Sequence, residues 1–282
     1  MTLSNRNNFF KGGFILSIVS LGLFALGSFF AYQAFPASIA SAAMRARGIF
    51  SGGLIQKLIQ GFTEAHGYAP FWAIIASLAY SFISIALVYF FFEKTQSPEI
   101  LFIGLFIISL SCEFTRIIIP LRNVFQFPSV YLIVAVRVLL FSRYFGLFSI
   151  FTASIFAAGL DEQKQKNAIL ILILAAMIIA LNVPVDILVW DSSLKTINGY
   201  NSMFIIVETG ILIITVTTFI ISAHTRSTGD YVFIGIGSFL AIAGRDILLS
   251  SDTWYTLIPG LLILVGGTWF ICSKLHRIYL WL

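Results

Sequence analysis

Glu113 and Arg116 stand three residues apart in Cys112-Glu-Phe-Thr-Arg-Ile-Ile-Ile-Pro120, and Arg137 follows in Val134-Ala-Val-Arg137. Asp186, Glu208, Arg245 and Asp246 break later runs of Ile, Leu, Val and Phe. An ionised side chain in hydrocarbon costs about 2.5–3.5 kcal/mol on insertion scales, so such residues turn inward and pair. Glu113 and Arg116, at i and i+3, share a helix face. Arg245 and Asp246 are neighbours and cannot both point the same way. Four carboxylates suffice for cation binding or acid–base work, but the three arginines largely neutralise them. The chemistry expected is ion pairing around a polar pocket or at helix contacts.

The elements that position these residues are membrane helices. Of 282 residues 59% are hydrophobic and 10% charged, against about 25% charged in soluble domains. The fold class expected is all-α: a polytopic helix bundle. Apolar stretches run from 13 to 35, 70 to 92, 98 to about 120, 128 to about 145, 168 to 190, 203 to 223, 231 to 249 and 255 to 273. That divides the chain into an anchor or signal segment (1 to 35), an amphipathic loop (36 to 69) and a seven-helix bundle (70 to 282). Ala40-Ser-Ala42 has the pattern of a signal-peptidase site, but the apolar core exceeds the usual h-region, so an uncleaved anchor is preferred. In the loop, Phe50, Leu54, Leu58 and Phe62 recur every four residues and predict a helix lying on the outer leaflet.

Residues 144 to 160 admit three placements: an extension of the fourth helix, an interfacial segment, or another crossing. An extra crossing would invert all later loops. With eight spans one side holds Arg6, Lys11, Lys94, Lys164, Lys166, Arg226, Lys274 and Arg277, and the other Arg45, Arg47, Lys57, Arg122 and Lys195. The excess favours eight spans in the cell (inner) membrane with both termini cytoplasmic. Ala73, Ser77 and Ser81 form a small-residue ridge that lets a neighbouring helix approach. Pro184 should kink the fifth span beside Asp186.

Counting from the outer helix ends, Glu113 lies about 10 Å deep and Arg137 about 13 Å. Asp186, Glu208, Arg245 and Asp246 come out at about 6–8 Å, and Arg116 near 6 Å, roughly. Seven charges therefore gather in the outer third. Two roles fit them: pairs that hold helices in register, the shallower ones snorkelling, or the walls of an extracytoplasmic pocket.

Much chemistry is missing. No G-x-S-x-G, H-E-x-x-H, C-x-x-C or Walker sequence occurs. Gly235-Ile-Gly237 lacks the third glycine of a dinucleotide site and is read as packing. His66, His224 and His276 are scattered, and Cys112 and Cys272 fall near opposite faces, too far apart for a disulfide. No metal, cofactor or catalytic residue is expected, and the chain is not expected to be an enzyme. The net charge of +5 without any Lys/Arg run does not suggest nucleic acid.

Glu99-Ile-Leu-Phe-Ile-Gly-Leu-Phe in the third span, Leu140-Phe-Ser-Arg-Tyr-Phe145 in the fourth, and Lys274-Leu-His-Arg277 after the last carry a resemblance over about residues 70 to 278. In topology the chain resembles the bacterial seven-transmembrane receptors with diverse intracellular signalling modules. Those receptors usually pair an extracytoplasmic sensor with a cytoplasmic kinase, cyclase or phosphatase. Residues 36 to 69 and 274 to 282 are too short for either, so any output is expected to pass through a partner protein. The expected function is a membrane sensor or ligand-binding module, the ligand unassigned. A small-solute transporter or a structural subunit of a membrane complex stands as the alternative.

Overall fold

The computed structural model describes residues 3–34, 69–95, 97–190, 193–194, 196–198 and 201–280. The surface helix expected in residues 36 to 69 lies outside them, except that Ala69 opens a span. The helices are α1 (Leu3–Ala34), α2 (Ala69–Phe92), α3 (Pro98–Ser109), α4 (Ile118–Phe125), α5 (Ser129–Ala157), α6 (Gln165–Asn182), α7 (Asn201–Thr225), α8 (Asp230–Leu249) and α9 (Trp254–Leu280). A 3₁₀ segment, Leu110–Ile117, joins α3 to α4 in one rod, and a shorter one, Glu162–Lys164, precedes α6. Strands β1 (Val185–Trp190) and β2 (Thr196–Asn198) pair antiparallel after α6. Among the described residues, eight helical stretches are long and apolar enough to span a bilayer. The chain is a polytopic membrane protein.

The spans alternate in direction. Arg6 donates to the Phe92 carbonyl at 2.6 Å and Tyr279 to Glu99 Oε2 at 2.7 Å, so α1 begins where α9 ends. This is the termini end. At the other end Trp72 and Trp254 meet, ring centroids 6.4 Å apart, beside the hairpin. α3 is the central element, buried at every position but Ile108. Ser97 caps it by accepting from the Ile100 amide, and Pro98 sits at its first turn. α7 is peripheral: Ile206 is 72% exposed, as befits a side chain facing lipid.

Three local features set the geometry. First, α5 runs for 29 residues, about 43 Å at 1.5 Å per residue, so residues 144 to 157 extend the fourth helix. That settles the three placements of residues 144 to 160 in favour of the extended rod. Second, Pro184 ends the fifth span instead of kinking it. Its ring forces Val183 into extended backbone (φ −62°, ψ 124°) and α6 stops at Asn182. Residues 185 to 190, expected as the end of that helix, are strand. Third, hydroxyl groups and a proline accompany the 3₁₀ segment. Ser109, Ser111 and Thr115 hydroxyls donate to the carbonyls of Phe106, Ile108 and Cys112, each three residues back, in competition with the α-helical amides. Pro120 then withholds the amide that the Arg116 carbonyl would accept from.

The predicted Ala73–Ser77–Ser81 ridge is wholly buried. Ser81 donates to the Ile107 carbonyl at 2.8 Å and lies 3.2 Å from Ser17 Oγ, tying α1, α2 and α3 together. The closest helix pair is α8 against α9. A Cβ on Gly267 would lie 2.6 Å from the Ala241 amide nitrogen, and one on Gly260 2.7 Å from that of Leu248. Gly237 faces Gly267 in the same seam, so the expected packing role holds for it.

Candidate functional site

The 3₁₀ segment places the charges. In a 3₁₀ turn residues i and i+3 eclipse, which stacks Glu113 and Arg116 more directly than an α-helix would. Arg116 Nη1 lies 3.6 Å from Glu113 Oε2, with both side chains almost fully buried. The other oxygen is taken from α5: Arg143 Nε stands 3.3 Å from Glu113 Oε1, and its Nη2 donates to Oε2 at 3.4 Å. Glu113 thus joins two guanidiniums from two spans.

The cluster is tied in further. Arg116 donates to the carbonyls of Ser193, Leu194 and Leu249, pinning the hairpin turn and the end of α8 onto the third span. Arg245 of α8 donates from Nη1 to the Arg143 carbonyl at 3.1 Å, and from Nε and Nη2 to Asp246 Oδ1 at 3.2 and 3.1 Å. Gly146 makes room for it, because a Cβ there would lie 3.1 Å from Arg245 Nη1. Ser142 donates to the Ser109 carbonyl, which the 3₁₀ geometry exposes. Glu208, from the inward face of α7, lies within electrostatic reach of Asp246, Arg245, Tyr144 and Arg143.

The structure therefore brings together five of the seven residues singled out by the sequence: Glu113, Arg116, Glu208, Arg245 and Asp246. Arg137 stands apart. It donates to the carbonyls of Ala180 and Val183 at 2.6 and 2.5 Å, which is C-terminal capping of α6 where Pro184 leaves the last turn open. Asp186, expected inside the fifth span, lies in β1 opposite Ile197. Arg137→Met is expected to cost about 1.5–3 kcal/mol, the range for hydrogen bonds from a charged donor. Amide exchange should speed up selectively in residues 179 to 198; a uniform change across the bundle would contradict the capping role.

Arg143 was missed as a member. With the fourth apolar stretch ending at about 145, Arg143 falls at its edge, but the residue is mid-helix, because α5 continues for fourteen residues beyond it, to Ala157. Ser142, Gly146, Ser149 and Ala153 are small, buried and spaced at i, i+4, i+7 and i+11, a stripe that signals a packed helix continuing past 145. A second polar group at the termini end was also missed. Glu99 is buried; Oε2 accepts from Ser97 at 2.8 Å and from Tyr279. Beside it Arg226 donates to the Tyr231 hydroxyl and the Phe156 carbonyl, and Asp230 pairs with Lys274 at 2.9 Å.

The cluster is electrostatically lopsided. Arg116 and Arg143 share the one fully buried carboxylate of the cluster, Glu113, while Arg245 pairs with Asp246, which is 52% exposed, and Glu208 is half-buried. Guanidiniums keep their charge even when buried, and forked donors of this kind match carboxylate and phosphate oxygens. No protein-family model matches the chain, and no curated protein matches it either.

Proposed function

We propose that this chain is a cell-membrane sensor for a small anionic ligand, with the hairpin end outside and the termini in the cytoplasm, acting through a partner protein. The observation that carries this is the charge distribution: Arg116 and Arg143 share the buried Glu113, and Arg245 beside them pairs with Asp246 nearer the bundle surface. A carboxylate or phosphate arriving from the hairpin end competes with Asp246 for Arg245. Arg245 also holds the Arg143 carbonyl, so the exchange bears on α5. That helix continues to Phe156, whose carbonyl meets Arg226 at the termini end, where a partner would read the change. The basic residues gathered at that end support the orientation. The role requires binding and no covalent chemistry.

The test is thermal unfolding of the purified protein with a panel of small carboxylates and phosphates. A genuine ligand at a hundred times its Kd adds about 2.7 kcal/mol of stability, and Arg245→Gln abolishes the gain. A panel without effect, or an Arg245→Gln variant that responds like the wild type, sinks the proposal. One observation favours a second role. The third span tightens from α-helix to 3₁₀ at its charged residues, and departure from regular α-helix at a site is a feature of transporters. Uptake of the same anion into proteoliposomes, abolished by Glu113→Gln, would replace sensing with transport.

A further inference from the structure

A groove of about 750 Å³ runs between α1, α3, α5 and α6, away from the charged cluster. That volume is within the usual range of small-molecule sites, about 300–1,000 Å³. Its mouth, at the termini end, carries Asn5 and Asn8 of α1 and Lys166 of α6. Deeper in, the walls are apolar: Phe9, Leu16, Leu105 and Phe145. Phe9 is 43% and Leu16 40% exposed, so the groove opens sideways, onto the surface that bilayer covers.

Two adjacent glycines shape it. A Cβ on Gly13 would fall on the Ile108 side chain, which is how closely α1 seats against α3. A Cβ on Gly12 would meet nothing within 4 Å, because it faces the hollow. The mouth is also electrostatically open. Lys164 pairs with Asp161 at 3.0 Å and Lys274 with Asp230 at 2.9 Å. Lys166 makes no ion pair among the described residues and is exposed.

We infer that this groove is a binding site for an anionic phospholipid, its phosphate at Lys166 and the Asn8 amide and an acyl chain along the apolar wall. A soluble phosphate gains nothing from that wall, and a zwitterionic lipid gains little from an unpaired lysine. Basic sites between spans select anionic headgroups on this basis. The assignment holds whichever side of the membrane the termini face.

Native mass spectrometry of the full chain tests it. The protein would be exchanged from mixed micelles of dioleoyl phosphatidylglycerol and dioleoyl phosphatidylcholine, which share their tails. Wild type should retain phosphatidylglycerol about tenfold over phosphatidylcholine, and Lys166→Glu should erase the preference. Lys164→Glu, the same charge change on a paired lysine outside the groove, should keep it. Gly12→Trp fills the hollow and should remove retained lipid of both kinds. Equal retention of the two lipids by wild type overturns the assignment, as does a Lys166→Glu protein that still discriminates. Competition by millimolar glycerol 3-phosphate would overturn the lipid as ligand in favour of its free headgroup.

Discussion

Glu113→Gln is expected to lower the unfolding free energy by about 3–5 kcal/mol. The replacement keeps size and shape and removes only the charge. Arg116 and Arg143 are then left in the bundle without the carboxylate that both face, and neither can discharge by losing a proton. Breaking a buried pair from one side costs more than the pair contributes, because the surviving charge stays desolvated. Asp246→Asn is the control. Its side chain is half exposed, and Arg245, though buried, keeps its bond to the Arg143 carbonyl, so the loss should be well below that of Glu113→Gln. Denaturant unfolding in one detergent, followed by far-UV circular dichroism, compares the two. Equal losses would mean that burial of Glu113 is not what matters.

The second large effect is steric. Gly267→Leu should destabilise by 3 kcal/mol or more, roughly the upper range for overpacking, since its Cβ meets backbone atoms of α8 that cannot rotate away. Gly266→Leu, one residue earlier, places its Cβ where nothing lies within 4 Å. There the exchange should be neutral or stabilising by up to about 1 kcal/mol, the helix-propensity gain. Adjacent positions in one helix thus differ in sign, and thermal unfolding of the two variants reads the difference. A Gly267→Leu protein as stable as wild type would show that α8 and α9 do not meet at that seam.

What the residues reveal unaided follows from the range of the forces involved. Hydrophobic length is a local signal, so the eight spans and their alternation were legible, as was the gathering of Glu113, Arg116, Glu208, Arg245 and Asp246 toward one end. Depth counted along ideal helices fails where the helix is not ideal. Pro184 was read as a kink, but nothing local to the sequence says whether neighbouring helices will satisfy a freed carbonyl. Here Arg137, forty-three residues from Ala180, does so, and the chain is released into β1. Arg143 was lost for a related reason: its segment continues as helix beyond the thickness of a bilayer, about 30 Å, and span length alone cannot show that. Its small-residue stripe was visible, but its meaning depends on the Ser109 side of α3, which only packing supplies.

The claim on which everything else rests is that Glu113 physically joins the third and fourth spans through Arg143. A double-mutant cycle on unfolding free energy, with Glu113→Gln, Arg143→Gln and the pair, measures that junction directly. The structure predicts a coupling of about 1–3 kcal/mol, the double variant losing less than the two single losses combined. Losses that add to within about 0.5 kcal/mol would mean that the two side chains do not interact, and the account would be wrong at its centre.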